Sequence, residues 1–304
     1  MSEVALIIIY NHQFNKNIEI LENIYSGRFS NIYHLMPFFT GVKRNVIPVY
    51  GNSYYFQGYI AQGFKIFFKK EFKYYFFIAD DLFLNPSINE KNYTEYFKLN
   101  NHNSFLPGLI TIHEVNKYWN RVKEAYRYSQ YVAGVEIKNL LPSYDESVEM
   151  FKNHGLKLGG LKYEQIHKRY KPSDIYSLKA LLNWLLNKFK RIANRNKLYN
   201  LQYPLVGAYS DITIVDSATI KLFSHYCGLF ASTNLFVELG LPSALVLSST
   251  AIITEKDLNF QGKALWTKQD FELLNRFDNK LNRLIENFPK ETLYIHPIKL
   301  SNWN

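Results

Sequence analysis

Two adjacent carboxylates, Asp80-Asp81, end an unbroken apolar run, Tyr74-Tyr75-Phe76-Phe77-Ile78-Ala79. Side chains alternate along an extended chain, so the two acids point different ways. One can meet a metal while the other accepts hydrogen bonds from a ribose or sugar. A hard cation such as Mn2+ or Mg2+ suits carboxylate and diphosphate oxygens together. It would offset charge developing on a nucleoside diphosphate leaving group. The plainer alternative is a solvated turn that caps a helix. A further acid, Glu238, stands alone in the apolar stretch 230–245. A lone carboxylate in such surroundings is costly unless it is paired or functional. Desolvation raises its pKa and fits it to serve as a general base. Asp211, just before the β-branched run Ile212-Thr213-Ile214-Val215, is the second candidate. The competing reading puts Glu238 on the solvent side of an amphipathic helix.

The elements that must position these acids can be read from the apolar pattern. Residues 4–10 (VALIIIY) form a continuous apolar run, the mark of a strand covered on both faces. The polar turn Asn11-His12-Gln13 and a helical stretch over 17–25 follow. Residues 30–38 and 45–50 read as strands, 53–68 as a helix, and 74–78 as a fourth buried strand. This order argues for a mostly parallel sheet. In such sheets ligands bind beyond the carboxyl ends of the strands. Asn11-His12, Gly51-Asn52 and Asp80-Asp81 all fall at those ends and make one candidate site.

A length of 304 residues with 47% hydrophobic content is enough for a full core. The single cysteine, Cys227, excludes a disulfide framework within the chain and argues against Cys/His zinc clusters. Met1-Ser2-Glu3-Val4 runs straight into the first strand without the basic region and cleavage site of a signal peptide. No apolar run has the length of a membrane span. The expectation is a cytoplasmic protein, soluble or peripheral on the inner face of the membrane. Walker-type phosphate loops, Gly-x-Ser-x-Gly and zinc-protease signatures are absent. His34, His102, His113, His154, His167 and His225 lack paired metal spacing and read as surface or core residues.

The stretch from Tyr74 to Pro86 (YYFFIADDLFLNP) resembles the metal-binding acidic region of GT-A glycosyltransferases, in which a hydrophobic strand delivers an acidic triplet. Here the triplet is Ala79-Asp80-Asp81, without its first acid. The resemblance implies an α/β, GT-A-like three-layer fold with a mostly parallel central sheet. It implies one catalytic domain over 1–304, with a nucleotide-binding half over 1–100 and an acceptor and metal-completing half over 201–304. By the same resemblance Tyr10, Asn11 and Asn52 lie near the donor, with Asp80. Asp81 holds Mn2+ or Mg2+, and an acid at a helix start, Glu238 or else Asp211, serves the acceptor. Many members of the family carry a late histidine that completes the metal shell. His296 fits that part, and Lys299 can reach diphosphate oxygens as a point charge. The implied reaction is transfer of a hexose from a nucleotide donor, UDP-linked by preference, to a cell-surface glycan or lipid-linked acceptor, with inversion.

The net charge of +10 is concentrated. Residues 162–197 carry ten Lys/Arg against two acids, within a helical basic insertion over 140–200. Leu178, Leu181, Leu182, Leu185, Leu186, Phe189 and Ile192 follow helical spacing, bordered by Trp184. A basic amphipathic helix with Trp suits an anionic membrane surface. The competing reading packs the stripe on the core. Nucleic acid is the less favoured partner, since no recognition motif accompanies the charge. Two other classes compete for the whole chain. A nucleotidyltransferase would need a Gly-rich phosphate loop where Asn11-His12-Gln13-Phe14 stands. A non-catalytic membrane- or nucleic-acid-binding module would have no nucleotide affinity.

Overall fold

The computed structural model describes residues 3–100, 102–116, 118–137, 139–168 and 176–303. Arg169, Lys171 and Asp174 of the basic segment lie outside them. The first strand, β1 (Val4–Ile9), is apolar and buried throughout. Its alternating side chains feed two separate cores. Ala5, Ile7 and Ile9 point into one, with Tyr75 and Phe77; Val4, Leu6 and Ile8 point into the other, with Phe76 and Ile78. A strand apolar on both faces must be covered on both, and that requirement sets the layers.

β1 is joined through helix α1 (Asn15–Tyr25) to β2 (Ile32–Pro37) and then to β3 (Val46–Val49). Helix α2 (Gln57–Phe67) leads back to β4 (Tyr74–Ala79). β1 pairs in parallel with both β2 and β4, and β2 pairs in parallel with β3. Beyond β4 the sheet continues with Ile212–Asp216, Ser104–Phe105 and Ile252–Ile253. Among these seven strands Ile212–Asp216 alone runs against its neighbours. The chain is thus mixed α/β with a seven-stranded, mostly parallel central sheet. Helix α2 and the helices Ile220–Ser232 and Val237–Ser248 fill the first core. Helix α1 and the C-terminal segments fill the second.

A three-stranded sheet flanks this frame. Gln261–Ala264 pairs in parallel with Thr292–His296, which pairs antiparallel with Phe83–Leu84 just after the acidic pair. Arg28 fixes that segment by donating to the carbonyl oxygens of Ile88 and Asn85 at 2.9 and 2.5 Å. The Asn85 amide donates to the Thr292 carbonyl oxygen at 2.7 Å.

The basic helix spans Leu178–Ala193, capped by Ser177, whose side chain accepts from the Ala180 N–H. None of its residues is buried. Leu178, Leu182, Leu186, Phe189 and Ile192 are each more than half exposed. This corrects the reading in which the stripe packs on the core: only Leu181, Trp184 and Leu185 of its apolar residues are partly covered. Among the described residues no helix is long and apolar enough to cross a membrane.

Candidate active site at the carboxyl edge of the sheet

Three distant segments meet where β4 ends. Because Ile212–Asp216 runs antiparallel to β4, with Ile212 opposite Ile78, the preceding residue Asp211 arrives opposite Ala79, one residue before the acidic pair. The Ala79 N–H donates to the Asp211 carbonyl oxygen at 2.8 Å. Pairing of Ile295 with Phe83 brings the end of the C-terminal strand back to Asp81. The Ile298 N–H donates to the Asp81 carbonyl oxygen at 2.6 Å. His296 Nε2 then lies 3.0 Å from Asp81 Oδ1 and 3.8 Å from Asp211 Oδ1.

These groups share one field. Asp81 Oδ1 is buried and has no aligned hydrogen-bond partner, so its contact with His296 is close but off the N–H axis. Burial alone would lower the His296 pKa. The Asp81, Asp211 and Asp80 carboxylates outweigh it and hold the imidazole above its ordinary value. Burial lifts the Asp211 carboxyl to about 6; His296 opposes the rise, while Asp81 and Glu238 add to it. Asp80 is only 5% exposed. Burial, reinforced by the Asp81 charge, lifts its carboxyl to about 7 against hydrogen bonds from the Asn17 amide and the Asn11 N–H. The cost of a buried charge therefore appears as retained protons.

The aromatic wall behind His296 comes from Tyr209. It stacks on Tyr294 with ring centroids 6.1 Å apart and meets His296 edge-on at 5.5 Å. Its buried hydroxyl lies beside the Asp211 carboxylate without an aligned hydrogen bond. Burial holds the phenol proton far above its usual range.

Glu238 requires a correction. It stands in the first turn of Val237–Ser248, as an acid beside a helix start should. It is not the desolvated lone carboxylate expected from its apolar neighbours. Arg121 Nε donates to Glu238 Oε2 at 3.1 Å, and the side chain is 29% exposed. Arg121 also grips Glu124 at 2.8 Å and lies over the Phe236 ring. The desolvated candidate base is Asp211 instead. Beyond Glu238 opens a cleft of about 650 Å³ lined by Tyr54, Arg121, Arg127, Tyr128 and Phe236 among others.

The remaining expected residues are spread more widely. Tyr10 is fully buried and donates to, or accepts from, His34 Nδ1 at 2.8 Å. Its side chain faces the core, so only its backbone can approach a ligand at the strand end. Asn11 borders Asp80 through its backbone N–H. Asn52 is exposed, and its side chain caps the short helix Ser53–Tyr55 by accepting from the Tyr54 N–H at 2.9 Å. It follows the outer strand β3 and stands apart from the Asp81 cluster. Lys299 is exposed, one residue past the Ile298 contact with Asp81. Asn17, Arg121 and Tyr209 were not singled out by sequence. Asn17 could have been found from its place at the start of the helix after β1; a lone arginine or tyrosine carries no such signal.

An oxygen and an imidazole nitrogen facing each other without a good hydrogen bond suit a divalent cation between them. Among the described residues no group of three or more His, Cys, Asp or Glu forms a ready cage.

The fold and this edge define an α/β protein with an acid–histidine cluster at the carboxyl ends of its parallel strands. The chain matches no protein-family model and no curated protein.

Proposed function

We propose that the protein is a metal-dependent glycosyltransferase of the GT-A type that moves a hexose from a nucleoside diphosphate sugar to a glycan or lipid-linked acceptor hydroxyl. The observation that carries the reading is the convergence of Asp81, His296 and Asp211 within 4 Å at the carboxyl end of β4. The strand order supports it too. The neighbours β3-β2-β1-β4 match the nucleotide-binding half of doubly wound sheets, where ligands bind at the strand ends on either side of the switch between β1 and β4. Asn11 and Asp80 stand at those two ends.

In this reading Asp81 and His296 would hold Mn2+ or Mg2+, which would supply positive charge for the diphosphate leaving group. Asp80, braced by Asn17 and the Asn11 N–H, accepts hydrogen bonds from a ribose or sugar hydroxyl. The acceptor oxygen attacks the anomeric carbon as the bond from that carbon to the diphosphate oxygen breaks. The acceptor proton passes to a carboxylate, and the nucleoside diphosphate leaves. Asp211 is the first choice for that carboxylate, because a carboxyl near 6 is matched to proton transfer at neutral pH. Glu238, held by Arg121, is the second. In-line attack on the face opposite the leaving group predicts inversion.

The test is transfer or slow hydrolysis of a panel of sugar nucleotides with Mn2+, read by 31P NMR. Release of one nucleoside diphosphate is expected. Asp211→Asn should lower kcat by on the order of 100- to 10,000-fold, as for loss of a general base. Full activity in both Asp211→Asn and Glu238→Gln would overturn the assignment of the base, and no turnover of any donor would count against the reaction itself.

A further inference from the structure

The basic helix Leu178–Ala193 turns its apolar side outward. At about 100° per residue, Leu178, Leu182, Leu186, Phe189 and Ile192 form one stripe, and each of them is more than half exposed. Lys179 and Lys190 border one edge of the stripe and Lys188 the other, and the helix contains no acid. Lys188 lies 5.3 Å from the Trp184 ring centroid. Exposed apolar residues normally occur singly; a stripe along a whole helix calls for a cover.

We propose that this helix docks the protein on an anionic lipid surface, lying in the plane of the interface with the Leu/Phe/Ile stripe in the acyl boundary and the flanking lysines at the headgroups. Charge selects this occupant. A second copy of the chain would bring two helices without acids face to face, and like charges would repel. Nucleic acid would satisfy the lysines but leave the stripe in water. A bilayer of anionic lipids satisfies both, since cations near such a surface gain about 1 kcal/mol each and the apolar face is buried beneath them.

Cations of the helix and of the rest of the chain act on one histidine. His167 is held below its ordinary pKa by burial and then by the charges of Lys123, Arg127 and Lys190. Arg127 lines the cleft beyond Glu238, and Lys190 belongs to the basic helix. The docking itself does not depend on the transferase reading.

The experiment is co-sedimentation of the full chain with vesicles of equimolar phosphatidylcholine and phosphatidylglycerol, against phosphatidylcholine alone, at low and high salt. Binding to the anionic vesicles, weakened by salt, is expected. Leu182→Glu with Leu186→Glu should abolish it; both sites are exposed, so the fold is undisturbed. Lys188→Gln with Lys190→Gln should weaken it on the order of tenfold or more. Equal binding to both vesicles, no binding to either, or binding unchanged in the leucine variant would overturn the proposal. So would self-association or RNA binding by the helix with no vesicle binding. Nucleoside diphosphate binding by the same variants separates this result from the fate of the transferase reading.

Discussion

Asp80 and Asp81 are neighbours in the chain, but the pleat sends them into different surroundings. Asp80 turns toward helix α1 and the Asn17 amide, in a site with almost no access to water. Asp81 turns toward His296. The raised carboxyl of Asp80 makes a prediction about pH. Its folded value, about 7, exceeds its ordinary value near 3.9, so between them the folded chain holds a proton that the unfolded chain has lost. This stabilising contribution is full at the acid end and disappears as pH rises through about 7. Asp80→Asn keeps the neutral form at every pH. Its melting temperature should match wild type near pH 4 and exceed it by pH 8, by a margin on the order of 4 kcal/mol in stability. A difference that does not change with pH would show that Asp80 is ionised throughout.

At the scale of elements, register does the assembling. His296 reaches Asp81 because Thr292–His296 pairs with Phe83–Leu84, and the strand is held from behind by Tyr294 against Tyr209. Gly262 lets Tyr294 lie flat across the neighbouring strand, where a Cβ would fall 1.9 Å from the ring. Tyr294 is buried and its hydroxyl donates to Glu255 Oε1 at 2.6 Å, so the ring has little freedom to retreat. Gly262→Ala should cost about 1–3 kcal/mol in urea unfolding, as overpacking does. It should also weaken ligand binding at His296. An unperturbed midpoint would mean that the tyrosine stack is loose.

β1 through β4 were legible because runs such as VALIII and YYFFIA are long enough to declare a doubly covered strand. With them came the edge where Asp80-Asp81 stand. The far side of the sheet was not legible, since Ser104–Phe105 and Ile252–Ile253 are too short to carry a period. The burial of Tyr10 was available in principle: it shares the alternation of Leu6 and Ile8, which face the same core. The Arg121–Glu238 pair joins residues 117 apart and leaves no trace in local pattern. An apolar neighbourhood in sequence therefore suggested a desolvated Glu238, while the fold supplied a cation.

For the whole molecule, the basic helix and the acidic edge carry opposite charge. The edge gathers Asp80, Asp81, Asp211 and Glu238, while the basic helix carries cations and no acid. An anionic diphosphate would meet repulsion from Asp81 and from the ionised fractions of Asp80 and Asp211 unless a cation came with it, so donor binding and metal binding should be coupled. The direct test is thermal stability against UDP, GDP, CMP and ADP, with and without Mn2+, on wild type and Asp81→Ala. A ligand that binds only the folded chain must raise its melting temperature. The account predicts a rise with one nucleoside diphosphate that requires Mn2+ and is lost in Asp81→Ala. No rise with any nucleotide, or a rise that survives both removal of Mn2+ and loss of Asp81, would contradict it.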